Sequence, residues 1–113
     1  MILVEAREIQ EAAPVSMKDR MAQSADEAST MLKALSNPSR LLLLCQLVEG
    51  ERSVSELEDA LNLSQAYVSQ QLARLRAEGI VAATRDGRTV RYRLADARVT
   101  PVIRAIYEQY CPN

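Results

Sequence analysis

The sequence predicts a mainly α chain carrying one small β-hairpin, and three observations support that prediction. Apolar residues recur at helical spacing over most of the length, Ser, Asn and Gly punctuate them where helices start and stop, and Asp86-Gly87 separates two short alternating runs. A chain of 113 residues is the size of one domain. It is 48% apolar but holds only four Tyr, with no Trp or Phe, so Leu, Val, Ile, Ala and Met must fill the core. Such a composition suits packed helices. A core of this size is marginal alone, and pairing with a second copy would relieve it.

Residues 1–16 read as an N-terminal extension with a candidate short helix from Ile2 to Ala12, closed by Pro14. Residues 17–113 read as the working domain. From Lys18 to Leu35, the residues Met21, Ala25, Ala28, Met31, Leu32 and Leu35 form one helical stripe. Asn37-Pro38 is a strong start signal, with Asn as cap and Pro at the first helical position. The helix that follows, Ser39 to Val48, contains Leu41-Leu42-Leu43-Leu44 and is expected to lie deep. Ser53 and Glu56 have capping-box spacing and open a short helix through Leu61. Ser64 caps another, running to Glu78 and closed by Gly79. Two short helices joined by so tight a turn make a helix-turn-helix.

Two runs, Ile80 to Arg85 and Arg88 to Leu94, flank Asp86-Gly87, which predicts a two-residue hairpin turn with positive φ at both positions. In the second strand Val90, Tyr92 and Leu94 share one face and Thr89, Arg91 and Arg93 the other. A last helix spans Asp96 to Tyr110, with Val99, Val102, Ile103, Ile106, Tyr107 and Tyr110 on its apolar side; either Asp96 or Thr100-Pro101 starts it. The whole is a winged helix-turn-helix.

That order points to DNA. On the helix from Ser64 to Glu78, Val68, Leu72 and Leu75 cluster inward. Ala66, Ser69, Gln70, Ala73 and Ala77 collect on the opposite side, with Gln65 and Tyr67 beside them near the start. Small side chains let a helix approach base edges, Gln can bond an adenine edge through two hydrogen bonds, and the free N–H groups of the first turn suit a phosphate. Charge agrees. The chain is −1 overall, yet residues 64–93 hold six arginines against Glu78 and Asp86, a local +4. Such asymmetry fits a local contact with a polyanion. The DNA-contacting set is therefore Ser64, Gln65, Ala66, Tyr67, Ser69, Gln70 and Arg74 on the helix, with Arg85, Arg88, Thr89 and Arg91 on the hairpin. A solvated arginine face, or an interaction module without DNA, is the plainer alternative.

The segments Leu35 to Arg40, Leu63 to Leu72 and Leu75 to Val81 resemble the ArsR/SmtB family of bacterial repressors, over roughly residues 20–110. The resemblance implies a homodimer joined through the first and last helices, operator DNA as partner, and release of that DNA when an inducer binds. Independently, apolar stripes on both terminal helices exceed what so small a core can cover, which also argues for pairing.

Neither of that family's usual metal sites is expected here, because the third-helix stretch Ser53 to Leu57 lacks cysteine and the chain has no histidine. No cofactor is expected either. Cys45 and Cys111 remain. Read from the residues alone, a cysteine in an apolar helix is an ordinary small core residue, and a near-terminal one is often incidental. Their placement nonetheless resembles the BigR/SqrR-like thiol-sensing branch of the family. That likeness implies that Cys45 and Cys111 react with persulfides, polysulfides or other oxidants as the inducing event. A repressor with structural cysteines and another inducer is the rival reading. A thiol oxidoreductase is a distant one, lacking both a Cys-x-x-Cys pair and a histidine base; no enzyme activity is expected. Two separated cysteines, an opening Met1-Ile2-Leu3-Val4 that meets Glu5 at once, and no long apolar run lead us to expect a cytoplasmic protein without a membrane span.

Overall fold

The computed structural model of the protein describes residues 16–112. Among them the elements follow in the order α1 (Met17–Leu35), α2 (Pro38–Val48), β1 (Arg52–Ser53), α3 (Val54–Leu61), α4 (Gln65–Ala77), β2 (Val81–Asp86), β3 (Thr89–Leu94) and α5 (Val99–Tyr110). The helix expected over Ile2 to Ala12 lies outside the described residues. The chain divides into two compact units, one ending at Thr30 and one beginning at Met31. In the first, Ser16 starts α1 by accepting the Asp19 N–H on its hydroxyl at 3.2 Å, and Met17 and Met21 are exposed.

The second unit holds the core. Leu43, Leu44, Leu57, Val68, Leu72, Leu75 and Val99 are all but fully buried, and Ile80, Val81 and Ile103 join them. Capping chemistry sets the helices around it. Asn37 accepts the Ser39 and Arg40 N–H groups at 2.9 and 3.1 Å, with Pro38 first in α2. Ser53 and Glu56 complete a reciprocal capping box on α3. Asn62 ends α3 in the left-handed region, at φ 56°, a conformation Asn tolerates better than most residues.

Four expectations need correction. The Leu41–Leu44 run is not buried all round: Leu43 and Leu44 point into the core, whereas Leu42 is 55% exposed. Four consecutive residues cover a full helical turn, so one of them faces outward. The hairpin is joined by a third strand, since β1 pairs antiparallel with β3 (Arg52 opposite Tyr92, Ser53 opposite Arg91) in a sheet ordered β1-β3-β2. The turn is centred one residue later than predicted. Asp86 pairs with Thr89 across the strands, and the turn residues are Gly87 and Arg88, of which only Gly87 has positive φ, at 64°. A Gly-X turn needs only its first residue there. Finally, α5 starts at Val99 rather than Asp96. The Asp96 carboxylate accepts the Arg98 N–H at 3.0 Å and two guanidinium bonds at 3.0 and 2.9 Å. That closes a tight turn ahead of the helix. Pro101 then falls in the first helical turn, where its missing N–H leaves no intrahelical bond unmade.

Candidate nucleic-acid interface and thiol pair

Helix α4 has two opposed faces. Inward, Val68 and Leu72 are fully buried and Leu75 nearly so, as the spacing predicts. The N-terminus is held by Ser64, whose hydroxyl accepts the Tyr67 N–H at 3.2 Å. That oxygen can still donate its own proton. Outward, Gln65, Ala66, Gln70, Ala73, Arg74 and Ala77 are exposed, while Tyr67 and Ser69 are half-buried. No acidic residue occurs between Gln65 and Ala77. Gln71 escaped the sequence reading. It is 5% exposed and accepts a bond from Arg40 on its side-chain oxygen at 3.2 Å. Its place, one residue before Leu72 on the inward side, was the available signal.

The hairpin brings its tip to the start of this helix. Arg88 and Thr89 line an open groove of about 290 Å³ together with Gln65, Ser53, Ser55 and Glu58. Arg85 and Arg88 are exposed. Arg93 donates to the Thr84 hydroxyl at 2.6 Å, bracing the two strands. Arg91 does not project with them. Its guanidinium lies 3.6 Å from the Glu51 carboxylate and 3.3 Å from that of Glu56, and donates to the Glu51 carbonyl at 3.1 Å. Its charge is thus directed toward the start of α3, not outward. Arg74 stands apart from the hairpin, beside a small cavity of about 230 Å³ that Lys33, Ser36, Arg40 and Glu78 also line.

The cysteines are both free thiols. Cys45 sits half-buried on α2, packed against the core, and Cys111 is exposed at the end of α5, its N–H donating to the Tyr107 carbonyl at 2.9 Å. Burial pushes the Cys45 thiol above its ordinary range, and the neighbouring charges of Cys111 and Glu49 add to the shift. Among the described residues, no group of three His, Cys, Asp or Glu side chains is gathered as a metal ion would require. None of the described helices is long and apolar enough to cross a membrane.

Residues 37–83 match the model of the arsR family of bacterial regulatory proteins. The chain is 42% identical to the biofilm growth-associated repressor of Xylella fastidiosa (strain Temecula1 / ATCC 700964), over 87% of this chain and 86% of that one. It is 38% identical to the transcriptional activator HlyU of Vibrio cholerae, over 88% and 91% respectively. The crystal structure of the transcriptional repressor BigR from Xylella fastidiosa superposes with a TM-score of 0.82 at 41% identity, covering 87% of this chain and all of that one. These relatives are transcription regulators, not enzymes. With helix-turn-helix, sheet and wing in this order, the chain is a winged helix-turn-helix transcription regulator and belongs to the arsR family of bacterial regulatory proteins.

Proposed function

We propose that the protein is a cytoplasmic, homodimeric repressor that holds operator DNA with α4 and the hairpin tip, residues 17–113 working as one module. It lets go when Cys45 and Cys111 are modified by reactive sulfur or another oxidant. The observation behind the DNA-holding part is that Gln65, at the start of the acid-free helix α4, lines one open groove with Arg88 and Thr89 of the hairpin, beside Glu58 of α3. Gln65, Ala66, Ser69 and Gln70 would face base edges. Ser64, Tyr67, Arg74, Arg85, Arg88 and Thr89 would meet phosphates or a narrow groove. Arg91, paired with Glu51 and Glu56, is better suited to brace the hairpin than to touch a phosphate. Dimerisation through the terminal helices would set two such surfaces one turn of DNA apart. The repressors among the relatives favour repression as the outcome.

Two free thiols, one half-buried on α2 and one exposed at the end of α5, support the sensing half, and their exposure orders its steps. Exposed Cys111 reacts first, its thiolate attacking the outer sulfur of a persulfide RSSH, releasing RS⁻ and forming a Cys111 persulfide. Cys45, held as a thiol by burial, is the slower partner. Losing its proton, it attacks the inner sulfur of that persulfide and expels HS⁻, leaving a disulfide with the persulfide as two-electron oxidant. A second RSSH would convert Cys45 to a persulfide as well; its terminal sulfur, attacking the same inner sulfur, would give a trisulfide and HS⁻. Either link ties α5 to α2. The rival, Cys45 as a packing residue, draws on its half-burial and raised pKa. Mass spectrometry of persulfide-treated protein, paired with duplex release by Cys45→Ser, separates the two. A bridged mass and a variant that no longer releases DNA are expected; an unchanged mass, or normal release by the variant, favours the rival.

A further inference from the structure

We propose that Arg40 is a positioning residue for the reading helix, fixing the roll of α4 about its own axis through Gln71. This rests on the reading of the outer face of α4 as the DNA-contacting surface. Arg40 lies in the first turn of α2, its backbone pinned by the Asn37 cap at 3.1 Å. Its guanidinium divides its donors three ways. Nε donates to the Ala34 carbonyl at 3.0 Å and one terminal nitrogen to the Lys33 carbonyl at 3.1 Å. Both carbonyls belong to the last turn of α1, where a cation complements the helix end; that of Lys33 also accepts the Ser36 N–H and hydroxyl at 3.2 and 2.8 Å. The other terminal nitrogen reaches Oε1 of Gln71 at 3.2 Å.

Gln71 is 5% exposed, so its amide oxygen depends on such a partner. The other inward residues of α4 (Val68, Leu72 and Leu75) make apolar contacts that are non-directional and tolerate a small rotation. A hydrogen bond to a rigid planar fork does not. Gln70 and Ser69 precede Gln71 directly, so any roll that breaks the Arg40 bond also swings the outward side chains off their register. Arg40 and Cys45 share α2, which places this tie on the helix that a modified thiol would disturb.

The test uses Gln71→Met, which keeps length and burial but cannot accept the bond, and Gln71→Glu, which can. Unaltered protein first enriches duplexes from a randomised pool. Each variant is then measured on an enriched duplex and on the unselected pool. Gln71→Met should stay folded by circular dichroism and lose about ten-fold in preference for the enriched duplex, with pool affinity and salt slope unchanged. Gln71→Glu should restore the preference. In DNA-free protein, the amide resonances of Ala66, Ser69 and Gln70 should shift in the Met variant and return in the Glu variant. Arg40→Lys should act in the same direction, and combining it with Gln71→Met should add little to the loss of preference, because the Arg40–Gln71 bond is the contact the two variants share. A folded Gln71→Met with full preference, or a Gln71→Glu that restores nothing, overturns the positioning role alone. If the unaltered protein enriches no duplex, the DNA reading falls and this proposal with it.

Discussion

The outer face of α4 with the hairpin tip and the outer face of α5 are both left open by the fold, but they lack different things. Around α4 the apolar side is finished, with Val68, Leu72 and Leu75 at 1% exposure or less. What remains outside is small, polar and cationic, with no carboxylate between Gln65 and Ala77 to offset Arg74 and Arg76. On α5 the position is reversed. Val99 and Ile103 are buried, Val102 and Ile106 only partly covered, and Tyr107 and Tyr110 stand 58% and 81% exposed on the same stripe. One surface is short of counter-charge and the other of apolar cover. The first suits a polyanion, where affinity must fall with salt. The second suits another protein chain, where burial is far less sensitive to salt.

The largest expected effect breaks the second half of that contrast. Tyr107→Asp puts a charge into the stripe where the proposed pairing would desolvate it. The dimer dissociation constant should rise by roughly 30-fold or more, the scale of losing a buried aromatic anchor. Sedimentation velocity reads this directly, and the defect should persist at high salt while helical content stays unchanged. If sedimentation is indifferent to Tyr107, α5 is open for some other reason.

A smaller effect sharpens the first half. Replacing Arg85 and Arg88 together with Ala should weaken binding to all duplexes and make the slope of log K against log salt shallower by about 2. Fluorescence anisotropy across a salt series measures both quantities. Arg91→Ala should change the slope less, because that guanidinium is already held by Glu51 and Glu56. Equal slopes for the double variant and the unaltered protein would remove the hairpin tip from the interface.

What the sequence revealed follows from how local each determinant is. Asn37-Pro38, the box of Ser53 and Glu56, and the cap at Ser64 act within three residues of themselves, so their consequences could be read in the string. The inward face of α4 was legible for a similar reason, because helical spacing alone puts Val68, Leu72 and Leu75 together. Longer reach hid the rest. Strand β1 is two residues long and exists only because β3 returns to it from nearly forty residues away. Arg40 and Gln71, thirty-one residues apart, carry no shared motif. Arg91 looked like a projecting cation because nothing in its own strand announces Glu51 and Glu56. The turn at Gly87 slipped by one position because Asp86-Gly87 and Gly87-Arg88 both satisfy a two-residue hairpin, and only cross-strand pairing chooses between them.

The smallest effect concerns how the finished region closes on itself. Glu56 accepts the Ser53 N–H at 2.8 Å and lies 3.3 Å from Arg91, so one carboxylate both caps α3 and holds the hairpin to it. The Ser53 backbone bond, aided by the Arg91 charge, lowers its pKa below the ordinary carboxylate value. A group whose pKa is lower folded than unfolded stabilises the fold above its unfolded value, about 4.3 for Glu. That contribution disappears as pH falls through the folded value. Glu56→Gln keeps an oxygen for the Ser53 N–H and removes only the charge. Its thermal midpoint should sit slightly below that of the unaltered protein at neutral pH, and the two should converge on acidification below about pH 4. Asp96, also lowered, by its bonds to Arg98, remains in both proteins and leaves a common acid limb. Midpoints that coincide at neutral pH, or that separate further in acid, would mean that the Glu56 charge adds nothing to the fold and that β1 pairing and the Arg91–Glu51 contacts hold the hairpin without it.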